Sequence, residues 1–210
     1  MFLALAFSSP NSKAALKIKF VSSTVYLSQR NLMNTNEYLI RRSKIEDLDG
    51  IFDLYKTVSK TIGGLARAEN EITMDYIRDF TEKSLERGVQ FVMVDELNDN
   101  SIIAEIHCYK LAPVVFGHIL GELTISVDSL YQGKGLGRKL FQALLDFVSA
   151  HRNDILRVEL IARESNSRAI ALYESLGFVK EGRMLHRIRS NAEFFEADIP
   201  MAWFNPNFNK

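Results

Sequence analysis

Apolar residues recur along this chain with two periods, and the alternation between them predicts a succession of strands and helices. Tyr38-Leu39-Ile40-Arg41 reads as a first strand. From Ile45 to Lys60, the residues Ile45, Leu48, Ile51, Phe52, Leu54 and Tyr55 fall mostly at three- and four-residue spacings with charges between them, as in an amphipathic helix. Gly63-Gly64 interrupts the pattern, and Thr73 to Arg87 resumes it with Met74, Ile77, Phe80 and Leu85 before Gly88, a C-cap residue type. Residues 89–94 and 102–109 read as strands separated by the polar turn Asp95 to Ser101, and the stretch 117–127 contains a fourth strand. A helix over 138–150 carries Leu140, Leu144 and Val148 on one stripe with Phe141 and Leu145 beside it. Arg157 to Ala162 makes a buried strand, and a helix opens near Asn166, an N-cap type, and ends at Gly177. Residues 178–183 and about 194–204 supply the last strands of a mixed α/β (α+β) domain without repeats.

Between the strand Leu123-Thr124-Ile125-Ser126-Val127 and the helix after it lies Gln132-Gly133-Lys134-Gly135-Leu136-Gly137. Glycines at this density let several N–H groups converge on one anion where a helix begins, and the helix N-terminus adds about half a positive charge. A Rossmann fingerprint needs glycine at the position of Arg138, and a Walker A loop needs Gly-Lys-Ser/Thr where Gly137-Arg138-Lys139 stands. Neither pattern fits.

Gln-x-x-Gly-x-Gly does fit, at Gln132, Gly135 and Gly137, and resembles the acyl-CoA pyrophosphate loop of the GNAT N-acetyltransferase superfamily. Downstream, Asn166-Ser167-Arg168-Ala169-Ile170-Ala171-Leu172-Tyr173-Glu174-Ser175-Leu176-Gly177-Phe178 resembles the second signature of the same superfamily at every fixed position. The two motifs stand in the family's order, and the resemblance covers about residues 38–204. It implies a central, mostly antiparallel sheet whose fourth and fifth strands splay apart, flanked by helices, with acetyl-CoA as cofactor.

The resemblance also assigns roles. Ile125, Ser126 and Val127 would bind the pantetheine arm through their backbone, although their alternation alone shows only a strand. Gln132, Gly133, Lys134, Gly135, Leu136, Gly137 and Arg138 would hold the pyrophosphate. Lys134, Arg138 and Lys139 read equally well as solvated charges. Asn166 can cap its helix, contact the cofactor, or do both, since its amide has two ends. Tyr173 matches the tyrosine that protonates the departing thiolate; without the motif it would read as helix-face packing. An unperturbed tyrosine pKa near 10 keeps that proton available. For the base, Glu122 stands three residues before Ile125, His118 lies earlier on the same stretch, and water is a third alternative. Residues 56–75 and 183–203 are the expected walls of the acceptor site; the charged run Glu181 to Arg189 with Phe194 to Trp203 resembles a C-terminal hairpin bordering it. No metal site is expected.

Composition narrows the partners. The 26 basic and 26 acidic residues cancel, which gives no sign of a nucleic-acid or membrane partner. Cys108, alone and flanked by His107 and Tyr109, reads as a small core residue; it is compatible with the cytoplasmic location expected here. The apolar Met1 to Phe7 lacks a positive flank and is too short to span a membrane. Because Met33 stands just before the first strand, residues 1–32 are expected to be an over-extended reading or loose tail, and 33–210 one domain. The functional expectation is an acetyl-CoA-dependent N-acetyltransferase acting on a primary amine, small or on a protein, with a homodimer left open. A catalytically idle acyl-CoA sensor is the alternative.

Overall fold

In the computed structural model, which describes residues 38–61, 65–189 and 194–209, the chain alternates strands and helices in the predicted order. The expectation for residues 1–32 lies outside the described residues. The elements are β1 (Tyr38–Arg42), α1 (Leu48–Ser59), α2 (Met74–Arg87), β2 (Gly88–Asp95), β3 (Ser101–Lys110), β4 (Ile119–Val127), α3 (Leu136–His151), β5 (Arg157–Arg163), α4 (Ser167–Ser175), β6 (Val179–Lys180), β7 (Met184–Arg189) and β8 (Phe195–Phe204).

The strands form one sheet in the order β1-β2-β3-β4-β5-β8-β6, with β7 also on β8. Every pairing is antiparallel except β4 with β5. That parallel pair meets only at Ile119 opposite Arg157 and Leu120 opposite Val158. Beyond Leu120 the fourth and fifth strands part, as the resemblance implied, while β5 goes on pairing β8 along its other edge as far as Arg163 opposite Asp198.

Side-chain alternation sends each strand's residues to two cores. On one face Met93, Ala104, Ile106, Leu160 and Met201 pack against Leu140, Phe141, Leu144 and Val148 of α3. On the other, Val92 and Val94 pack against Ile51, Tyr55, Ile77 and Phe80 of α1 and α2. Cys108 belongs to the first core, and burial pushes its thiol up to about 12, so it is inert packing.

Three local departures from the sequence reading have physical causes. The first helix opens with a 3-10 turn, Ile45–Asp47, because the Asp47 carboxylate turns back to accept from the Lys44 amide at 2.9 Å and from Arg41 at 2.7 Å. Gly88 does not cap in a left-handed conformation; it is extended and is already the first residue of β2. A Cβ there would stand 2.2 Å from the Cys108 carbonyl oxygen, so glycine is required by close strand approach. The predicted strand 178–183 shrinks to Val179–Lys180 and the charged run after it forms β7, so the C-terminal hairpin is β7 with β8.

Candidate functional site

Where β4 and β5 part, the chain builds a cleft of about 510 Å3. Its floor is the free edge of β4, with Ile125 and Val127 facing in; one wall is the turn after β4 and the start of α3; the other is α4. Gly133 and Gly135 take φ of +78° and +77°, and no heavy atom outside their chain neighbours lies within 4 Å of where a Cβ would sit. These positions demand glycine for backbone conformation and leave the amides uncovered. Gly135 is the N-cap of α3, which begins at Leu136, two residues before the predicted 138, so the amides of Leu136, Gly137 and Arg138 are free N-terminal donors aimed at the cleft. A diphosphate fits this cradle by charge and by donor type.

Of the predicted cofactor residues, Ile125, Val127, Gln132, Gly133, Gly135, Leu136, Gly137, Arg138, Asn166 and Tyr173 line this one cleft. Ser126 does not. Its side chain is buried on the opposite face across from Glu105, and its Oγ has no hydrogen-bond partner. Lys134 lies with its ammonium 4.9 Å from the Tyr131 ring. Gln132 donates to the Val127 carbonyl at 3.0 Å and pins the turn to the end of β4. Arg138 bonds the Ser175 hydroxyl and braces α3 on α4. Asn166 caps α4 through Oδ1, which accepts from the Ala169 amide at 3.1 Å and leaves its NH2 end uncommitted to the cap. Val58 and Thr61, within the stretch 56–75 expected to wall the acceptor site, close the cleft from the end of α1, although neither carries a motif that singles it out.

Tyr173 packs its ring 5.2 Å from Phe141 and 6.1 Å from Phe178. Burial raises its hydroxyl above the ordinary tyrosine pKa, so it keeps its proton well into alkaline solution. Tyr173 thus packs as a helix-face aromatic and is also one of the residues that line the cleft.

The two base candidates separate. His118 sits at the closed end, where its carbonyl accepts from Leu156 at 2.9 Å while β4 and β5 are still joined. Glu122 stands two residues beyond the last rung that joins β4 to β5 and is not among the residues that line the cleft. It occupies a bulge in β4, since Tyr109 faces Gly121 and His107 faces Thr124, and its φ of +54° turns an exposed carboxylate out of the pleat. Near it, burial raises the Tyr109 hydroxyl and Glu122 raises it further; burial likewise raises Tyr76, with Arg67 pulling it down and Glu105 and Glu122 pushing it up.

Beneath these tyrosines runs a polar network that sequence reading did not find. Glu105 accepts from the Tyr55 hydroxyl at 2.7 Å and from Gln90 at 2.9 Å, and lies 3.0 Å from His107 Nδ1. Phe80 stacks on His107 at 4.0 Å. Alternation placed Glu105 and His107 on a β3 face, but only tertiary pairing shows that α1 and α2 seal it.

Residues 51–178 match the model of the Acetyltransferase (GNAT) family. The chain is 46% identical over 59 residues to N-alpha-acetyltransferase RimI of Mycobacterium tuberculosis, covering 28% of this chain and 34% of that protein. It is 31% identical over 88 residues to spermidine N(1)-acetyltransferase of Escherichia coli, covering 42% and 47%. Each match thus spans less than half of the relative. The structure of yncA from Salmonella typhimurium with its cofactor acetyl-CoA superposes with a TM-score of 0.69 over 83% of this chain and 98% of that one at 19% identity.

Proposed function

Because the chain belongs to the GNAT acetyltransferase family, we propose that it transfers an acetyl group from acetyl-CoA to a primary amine by direct attack in a ternary complex. One observation carries this reading: the glycine cradle, the free edge of β4 and Tyr173 line the same cleft. Acetyl-CoA, when bound, supplies an acetyl thioester whose sulfur leaves as a thiolate.

The chain's own residues then divide the work. The amides at Gly135 to Arg138 hold the diphosphate against the N-terminus of α3. Ile125 and Val127 offer backbone hydrogen bonds along the open edge, in the manner of an added strand. Asn166 contributes its free NH2 end. Glu122 takes the proton that the amine must lose, and Tyr173 delivers the proton that the sulfur must gain. Positioned acid and base groups of this kind are worth about a hundred- to ten-thousand-fold in rate.

Release of free CoA thiol from acetyl-CoA, followed against a panel of amines, tests the assignment. Acceptor-dependent thiol release is the expected result; tight acetyl-CoA binding without turnover of any amine would make the protein an acyl-CoA sensor instead.

A further inference from the structure

Two charges near the bulge of β4 have no counter-ion among the described residues. Arg67, in the connection between α1 and α2, holds its guanidinium 4.1 Å from the Tyr76 ring, and the acids nearest in its own segment are engaged elsewhere. Glu69 sits 3.9 Å from Lys60, and Glu71 accepts from the Ala68 amide at 2.7 Å. Glu122 is likewise unpaired among the described residues. Two cations lie near its neighbour Tyr109, Lys83, which is bound to Asp79 at 2.6 Å, and Arg87, and neither forms an ion pair with Glu122. An unpaired guanidinium and an unpaired carboxylate therefore stand beside one aromatic floor. Tyr76 meets Phe80 at 5.2 Å, Phe80 stacks on His107, and His107 lies parallel to Tyr109, next to the bulge.

This floor is rigid. Tyr55 packs on both Tyr76 and Phe80, at 6.3 and 5.4 Å, and is itself tied to the buried Glu105. Arg67 and Glu122 are too far apart to form an ion pair, yet both act on the Tyr76 hydroxyl. A molecule carrying both a cation and an anion would complete each of them.

We propose that the acceptor is a zwitterion of the amino-acid type, its carboxylate received by Arg67 and its ammonium by Glu122. This rests on the acetyl-transfer reading above. In the transfer, the ammonium gives one proton to the Glu122 carboxylate, the nitrogen–carbon bond forms as the carbon–sulfur bond breaks, the Tyr173 proton passes to sulfur, and the second proton that the nitrogen sheds on becoming an amide restores the Tyr173 hydroxyl. The guanidinium fork suits a carboxylate and offers nothing to a second ammonium, so a polyamine is disfavoured at that end.

Matched acceptors test the idea with the full chain and acetyl-CoA: free amino acids, the amines left when their carboxylates are removed, a polyamine, and a short peptide with a free N-terminus. kcat/KM should favour the free amino acid over its decarboxylated partner by about ten- to a hundredfold, the worth of one charge-assisted contact. In Arg67→Gln, an exposed substitution, that ratio should collapse toward one, chiefly through KM. Equal or better use of the polyamine or the peptide would overturn the proposal, as would an Arg67→Gln variant that slows all acceptors alike. Turnover of the decarboxylated amines without the preference removes the zwitterion alone, whereas turnover of no acceptor removes acetyl transfer and the zwitterion together.

Discussion

Tyr173 and Gly135 show how single residues in this cleft are held between packing and chemistry. Tyr173→Phe keeps the ring between Phe141 and Phe178 and removes only the proton. CoA-thiol release should fall by about a hundred- to ten-thousand-fold while the melting temperature barely changes. Since burial raises the hydroxyl's pKa, the protonated form that donates prevails at every pH below that raised value and is lost only above it. The rate should therefore show no alkaline decline attributable to this group up to about pH 10, the ordinary tyrosine value; a decline near pH 8 that disappears in Tyr173→Phe would contradict it. Gly135→Ala inserts a side chain into open space, so its cost is conformational, about 1–2 kcal/mol for a left-handed non-glycine residue. Weaker protection by acetyl-CoA in thermal unfolding would register that cost at the cradle.

At the scale of elements, the most consequential join is the one from α2 to β2. Gly88→Ala would force β2 away from the Cys108 carbonyl, and a drop in urea midpoint with little change in the slope is the expected outcome. Tyr55→Phe should cost about 1 kcal/mol by the same measurement, because a buried hydroxyl bond to Glu105 is lost. These joins also show what a sequence displays. The helices and the order of strands were legible because Leu140, Leu144 and Val148, or Ile51, Leu54 and Tyr55, repeat at helical spacing. The cradle was legible because glycine is needed at Gly135 for a backbone reason that spacing records. Glu105 with Tyr55, and Arg67 with Glu122, were not legible as partners, since their relations arise between elements far apart in the chain. Val58 and Thr61 reach the cleft only through the packing of α1. Element ends moved for similar reasons: α3 starts early because Gly135 can act as its N-cap in a left-handed conformation.

For the whole molecule, acid stability should follow its paired carboxylates. Burial pushes the Asp47 carboxyl up, but the bonds from Arg41 and the Lys44 amide outweigh it and leave its pKa below the ordinary range. Arg152 and Lys110 hold Asp154 lower still. A folded-state pKa depressed in this way adds stability above the unfolded value of about 4 and loses it as pH falls through the folded value. The melting temperature should thus decline progressively below about pH 4, and Asp47→Asn should flatten part of that decline in scanning calorimetry.

The two rungs shared by β4 and β5 have a mechanical meaning as well. Four strands on each side are laddered firmly among themselves, but across the seam the backbone is joined only at Ile119 and Leu120, with the cores beneath carrying the remainder of the load. A pantetheine-like chain laid along the seam would act as a splint, turning two half-sheets into one continuous ladder. Under force applied across that seam, the loaded protein should then yield as a single unit where the empty one gives way first between the halves.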